Sequence, residues 1–250
     1  LAQADIKRLE EGLEGWNYDK LVRVRNQAEV LISGQPRITQ HYGFPEVENE
    51  VYFDVESDPT RGIVFLFGLL VKKQGRKTAD FEYFLAKDPE GVPSGAGPYG
   101  AGKNDEKKIW EGFLAFLSKL ENFVVYHYGY YEKHVLQQME KRYGAPADLM
   151  RKFRENSLDL YNIATNSVIL PLYFYSLKDI AGFIGYKWND EGAGGGEALT
   201  WYEEWQKTGK KEFLEKLVKY NEDDVRATLL VKEWLEKQKP KLQKEALPEK

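Results

Sequence analysis

Residues 63–71, IVFLFGLLV, are apolar at every position except one glycine. Nine residues without a polar side chain leave no face for solvent, so the run predicts a strand covered on both sides. VYFDVES (51–57) before it alternates apolar with polar, and FEYFLA (81–86) after it is a third short aromatic run. Turn signals at Asp58-Pro59 and Gly75 separate the three. Three strands joined by short turns predict an antiparallel meander with the apolar run in its middle. The run is far short of the roughly 20 residues that cross a bilayer, and the N-terminus lacks the basic-then-apolar order of a signal peptide. A soluble, cytoplasmic protein with no membrane partner is expected. The chain opens on Leu1 rather than Met, as a piece of a longer protein would.

Around the meander the periodicity is helical. Ile6, Leu9 and Leu13, then Leu21, Val24, Ala28 and Leu31, recur at three- and four-residue steps before Gly34-Gln35-Pro36 breaks the pattern. Residues 1–47 are read as a helical appendage or linker. After the meander, GVPSGAGPYGAG (91–102) reads as a flexible insertion, and Asn104 as the cap of a helix carrying Ile109, Trp110, Phe113 and Leu117. A strand (122–128), a helix (131–143), a short helix (147–156) and the segment SLDLY follow. Ser176 is the expected N-cap of a helix over 176–186, GAGGG (192–196) a second loop, and Thr200 with Glu203 a capping box. A long amphipathic helix spans 211–237, and 238–250 is a charged tail. This order predicts an α/β fold over 48–237, a mixed sheet of antiparallel meander and parallel strands flanked by helices.

Composition narrows the chemistry. The chain has no Cys, which excludes disulfides, thiolate nucleophiles, Cys-held zinc and iron–sulfur clusters. Three scattered His make a His-built zinc site a poor fit, so any metal should be a hard cation on carboxylates, Mg²⁺ or Mn²⁺. The net charge of −4 gives no global basic field for nucleic acid.

Two acidic elements stand out. Asp54 and Glu56 lie two apart on the first strand, hence on one face, while Phe53 and Val55 point to the other. Like charges side by side in a hydrophobic strand repel, and a cation between them relieves this; a solvated edge strand is the plain alternative. In KYNEDDVRAT, Tyr220 and Asp224 are four apart on the last helix and share a face. Glu222, Asp223 and Asp224 also read as a solvated patch, and Asp223 rivals Asp224 as the inward residue. One apparent motif is rejected. Residues 97–104, GPYGAGKN, approach the phosphate-loop pattern but end in Asn where a metal-binding hydroxyl is needed, and do not follow directly on a strand.

A strand D-x-E followed about 165 residues later by a helical Y-x-x-x-D resembles the DEDD exonucleases, which have the RNase H-like fold. Lys219 stands where the family's His subgroup carries His, so the resemblance points to the Tyr subgroup. YFDVE, YHYGYYE, SLDLY, YSLKDIAGFIGY and YNEDDVRAT together look like the YprB-type RNase H-like domains of RecB-like nucleases, sometimes fused to a helicase. The similarity spans 48–237, and residues 1–40 resemble the helical segment joining this domain to an upstream nuclease domain.

The resemblance implies a metal-dependent nuclease, a 3′–5′ exonuclease on single-stranded DNA or RNA that uses two Mg²⁺ or Mn²⁺ ions. Asp54, Glu56 and Asp224 carry over directly, with Tyr220 orienting the attacking water. The middle motif departs from Asn-x-x-x-Phe-Asp. His127 stands for the Asn and Glu132 for the Asp, so Glu132 is the candidate fourth acid. Asp159 in SLDLY is a further candidate ligand, with a helix cap as its structural alternative. Tyr128, Tyr131 and Lys178 are candidate nucleic-acid contacts, the rings by stacking and the amine by phosphate pairing. The altered middle motif also leaves room for a catalytically weak nucleic-acid-binding or interaction module of a larger nuclease–helicase protein.

Overall fold

The structure, a computed structural model, describes residues 5–87, 105–190 and 194–239, together with Gln3 and Gly192. Helices α1 (Ile6–Gly12) and α2 (Tyr18–Ser33) and a two-residue strand β1 (Arg37–Ile38) precede the meander of β2 (Asn49–Asp58), β3 (Ile63–Lys73) and β4 (Ala79–Leu85). Next come α3 (Asp105–Leu117), β5 (Phe123–His127), α4 (Tyr131–Tyr143), α5 (Ala147–Glu155) and β6 (Ser157–Asp159). The chain continues through α6 (Leu160–Ser167), β7 (Val168–Ile169), α7 (Leu177–Phe183), α8 (Gly195–Thr208) and α9 (Lys211–Lys237).

Five strands form one mixed sheet in the order β4-β3-β2-β5-β6. The meander is antiparallel, whereas β5 pairs parallel to both β2 and β6. The expected α/β architecture is therefore present. Residues 63–71 of β3 are buried throughout, as a strand without a polar face requires.

Side-chain alternation on β2 divides the interior in two. Phe53 packs against Phe113 and Phe153, in a core completed by α3, α4 and α5. Tyr52 points to the opposite face and stacks on Tyr126 with ring centroids 5.2 Å apart. That second core is closed by α6, α7 and α9 through Leu160, Ile180, Val225 and Val231. The N-terminal segment lies against this side. β1 pairs with β7, the Gln27 amide donates to the Leu170 and Leu172 carbonyls, and Phe44 and Val47 join the second core.

Side-chain caps start four of the described helices: Asp5 at α1, Asn17 at α2, Asp159 at α6 and Ser176 at α7. Ser176 caps α7 in a reciprocal box with Asp179. The start of α8 differs from expectation. It begins at Gly195, not after a capping box at Thr200, and Thr200 lies inside the helix with its hydroxyl on the Gly196 carbonyl. The Glu197 carboxylate accepts the Gly194 N–H at 2.8 Å, and this bond starts the helix through two glycines that read as loop. The 91–102 insertion, the Asn104 cap, the rejected motif at 97–104 and most of the 238–250 tail lie outside the described residues.

One buried acid ties three elements together. Glu106 on α3 accepts the Val64 N–H at 2.7 Å, Arg142 at 2.6 Å and the Tyr143 hydroxyl. Glu106→Ala leaves the Val64 N–H and the guanidinium without their acceptor. It should lower stability by about 2–3 kcal/mol, read as a shifted urea midpoint at unchanged slope. A shift within error would show that the network carries no stability.

Candidate metal centre and cleft

Phe53 and Val55 lock one face of β2 into the first core, so Asp54 and Glu56 emerge from the other, toward α9. α9 brings Asp224 to them. Asp54, Glu56 and Asp224 each offer a carboxylate oxygen within 4.8 Å of the others, the one such acidic group among the described residues. The neighbouring Asp223 turns away. It accepts the Asn189 N–H at 2.9 Å, the Asn189 amide and the Tyr186 hydroxyl, and so anchors the segment after α7.

Three side chains hold the acids in place. The fully buried Asn221 donates from its amide to Asp54 at 2.7 Å and also hydrogen-bonds Glu56. It reaches them because Gly68, paired with Asp54 in the sheet, has no side chain; a Cβ there would overlap the Asn221 carboxamide. The Trp188 indole N–H donates to Asp224 at 2.7 Å, and the Tyr220 hydroxyl bonds the same carboxylate. The Lys178 amine lies 5.3 Å from the Tyr220 ring and 5.7 Å from that of Trp188. Asn221, Trp188 and Gly68 were not flagged in the sequence. The only traces were a glycine inside an apolar strand and an Asn beside the Tyr of Y-x-x-x-D.

Burial and crowding set the charge state. Asp54 is raised well above the usual carboxylate range by desolvation and by Glu56, Asp224 and Glu132. Glu56 is pushed up to about 8 by burial and by Asp224, against the Asn221 bond and the Lys178 charge. Asp224 rises to about 6 through burial, held down by Trp188, Lys178 and Tyr220. Burial raises the Tyr220 phenol above its ordinary value, so it stays protonated. An all-oxygen, mutually repelling donor set fits a hard divalent cation.

The group opens on a cleft of about 800 Å³, lined by Asp54, Asp224, Tyr220, Lys178, Glu132 and Tyr128 among others. Glu132 projects from the first turn of α4 and is buried, with Oε2 3.8 Å from His127 Nδ1 and without a hydrogen-bond partner among the described residues. Burial and the Asp159 and Asp224 charges raise it to about 8, against a backbone hydrogen bond. His127 donates from Nδ1 to the Gly129 carbonyl at 2.7 Å, and burial keeps its ring neutral down to about 4. Asp159 is not brought into the acidic group. It caps α6, accepting the Tyr161 and Gly129 N–H groups, both at 2.9 Å, and the Asn162 amide. Tyr128 lines the cleft with its hydroxyl on the Tyr175 carbonyl at 2.6 Å. Tyr131 instead bonds Ser57, and its neighbour Tyr130 lines the cleft.

The family model RNase_H_2, described as RNase_H superfamily, matches residues 98–236, more than half of the chain. The chain belongs to the RNase H superfamily. No curated protein matches it. The matched span holds Glu132, Asp159, Tyr220 and Asp224 but begins after Asp54 and Glu56, whose place in this RNase H-like fold rests on the geometry above. No described helix is long and apolar enough to cross a membrane.

The raised acids have a consequence for stability. Unfolded carboxylates titrate near 4, whereas Glu56 and Glu132 hold protons in the fold up to about 8. Between those values the folded chain binds more protons than the unfolded one, so stability falls as pH rises. Below about 6.5 the neutral His127 adds the opposite slope, so the clean window is about pH 6.5 to 8. In chelator, Tm should drop by roughly 7–13 °C across it, Glu56→Gln should flatten the drop, and Mn²⁺ should raise Tm more at pH 8 than at 6.5. A Tm insensitive to both pH and Mn²⁺ would contradict the charge assignment. Trp188→Phe keeps a ring but removes the donor to Asp224. Mn²⁺ affinity by calorimetry should fall about tenfold; unchanged affinity would leave the indole a packing role only.

Proposed function

We propose that this chain is a metal-dependent nuclease of the Tyr-bearing DEDD type, resembling the YprB-type domains, which removes nucleotides from the 3′ end of single-stranded DNA or RNA. The observation that carries the reading is the convergence of Asp54, Glu56 and Asp224 beside an open cleft, which Asp54 and Asp224 line together with Lys178 and exposed aromatic rings.

On this reading Asp54, Glu56 and Asp224 hold two Mg²⁺ or Mn²⁺ ions, with Glu132 reaching in from α4. When bound, the ions supply water activation and charge relief on the leaving oxygen. Tyr220, kept protonated and bonded to Asp224, positions the attacking water by hydrogen bonding rather than acting as a base. Lys178 offsets phosphate charge near the acids. Residues 48–237 form the nuclease domain, working in the cytoplasm and joined to or beside a nuclease or helicase module.

A second reading is a binding module of the same fold without turnover. It is favoured by Glu132 standing where the family pattern has Asp and holding its proton to about 8. One assay separates the two. Incubated with 5′-labelled single-stranded DNA or RNA and Mn²⁺ or Mg²⁺, the wild type should give a ladder shortening from the 3′ end. Asp54→Asn should be slower by at least about 100-fold. Tight binding with no shortening would favour the binding module, and equal degradation by both proteins would mark a contaminant and end the nuclease reading.

A further inference from the structure

Beyond the catalytic cleft lies a second cavity of about 280 Å³, walled by α2 on one side and by the 161–175 segment on the other. The two share a wall, because Tyr161, Phe174 and Tyr175 line both. Arg23 and Gln27 come from α2, so the N-terminal helical segment supplies part of a surface continuous with the cleft.

The chemistry of this surface is specific. Tyr173 and Phe174 are 85% and 74% exposed, adjacent rings held out in water. The segment carrying them is pinned on both sides. The Tyr175 hydroxyl accepts the Leu170 N–H and its carbonyl accepts the Tyr128 hydroxyl, both at 2.6 Å, while Gln27 donates to the Leu170 and Leu172 carbonyls. Pinned backbone under exposed rings makes a platform, and exposed aromatic pairs mark a binding surface. Arg23 is exposed at the rim, with one guanidinium donor on the Thr165 carbonyl at 3.2 Å, which fixes its direction. A guanidinium has five donors, which leaves others for a phosphate. No carboxylate lines this cavity.

We propose that this cavity is an upstream subsite for single-stranded nucleic acid. The terminal nucleotides occupy the acidic cleft, and those behind them stack on Phe174 and Tyr173 with a phosphate on Arg23. The inference rests on the nuclease reading and extends it. Unpaired bases offer the flat faces that such rings take, whereas paired bases in a duplex do not. The subsite makes α2 part of substrate recognition, and it makes affinity depend on substrate length.

The test uses Tyr173→Ala and Arg23→Glu in the full chain, since neither residue lines the catalytic cleft. Affinity for fluorescein-labelled dT8 and U8 is measured by anisotropy with Ca²⁺ as the cation, and hydrolysis of labelled dT2 and dT8 with Mn²⁺. Each variant should bind the octamers about tenfold more weakly, with KM for dT8 raised, kcat unchanged and dT2 hydrolysis as in wild type. Melting temperatures confirm that both variants fold. Octamer affinity equal to wild type in folded variants overturns the subsite and leaves the rings to another partner, such as a protein. So does a wild type that binds dT2 as tightly as dT8. A wild type that neither binds nor shortens any strand removes the nuclease reading and the subsite with it.

Discussion

Three carboxylates drawn together beside a cleft are the most expensive feature of this fold, and much of the structure exists to hold them there. Asp54, Glu56 and Asp224 repel one another where water is largely excluded, which raises all three. The contrast with Asp58 on the same strand is instructive. Asp58 is also buried, which alone would raise it, yet donors from Thr60 and Arg61 bring it down to about 2. The clustered acids receive one side-chain amide, one backbone N–H from Val55, one indole and one phenol among them, and the nearby charge of Lys178. A structural acid gathers donors until its charge is satisfied. These do not, and their all-oxygen, mutually repelling set suits a divalent cation.

The scaffold that enforces this crowding is rigid for ordinary reasons. β2 is paired on both sides and packed on its far face by Phe53, so the two acids it carries cannot rotate away. α9 is anchored by Leu217 to the first core and by Val225 and Val231 to the second, which fixes the phase of Tyr220, Asn221 and Asp224 between them. Further along, Lys232 is buried and bridges Glu50 of β2 at 2.6 Å and Glu236 at 3.0 Å, a second tie between helix and sheet. The close approach of α9 to β3 depends on Gly68, so a missing side chain on one strand sets the position of an amide that bonds acids on the next.

What was legible in the sequence followed from period and local chemistry. The apolar run had to be an interior strand, D-x-E had to share a face, and Ser176 had the Asp three residues on that a cap wants. What was not legible depended on tertiary partners. Asp223 and Asp224 are both buried on the inward half of α9, and the 186–189 segment, arriving from elsewhere, tells them apart: Tyr186 and Asn189 surround Asp223, while Trp188 gives Asp224 a single bond. Asp159 is an acid near the cleft by position but a cap by geometry, because Gly129 and Tyr161 present N–H groups to it. The start of α8 was missed because Glu197 does from inside the helix what a polar cap residue does from outside.

On the proposed reading, His127 to Glu132 is the altered middle motif, and the fold holds this segment firmly. His127 and Asp159 grip the Gly129 turn from its carbonyl and its N–H, which fixes where α4 begins. Glu132 then extends from the first turn of that helix, where the amide dipoles favour negative charge. Its extra methylene lengthens its reach from a firmly held base. With Oε2 buried and without a protein donor, it keeps its proton to about 8, as Glu56 does. On the proposed reading, cation uptake near neutral pH must therefore displace protons from both acids, so affinity for the ion rises with pH. The substitution of Glu for Asp then leaves a fourth acid available and makes its charge conditional on the cation it helps to hold.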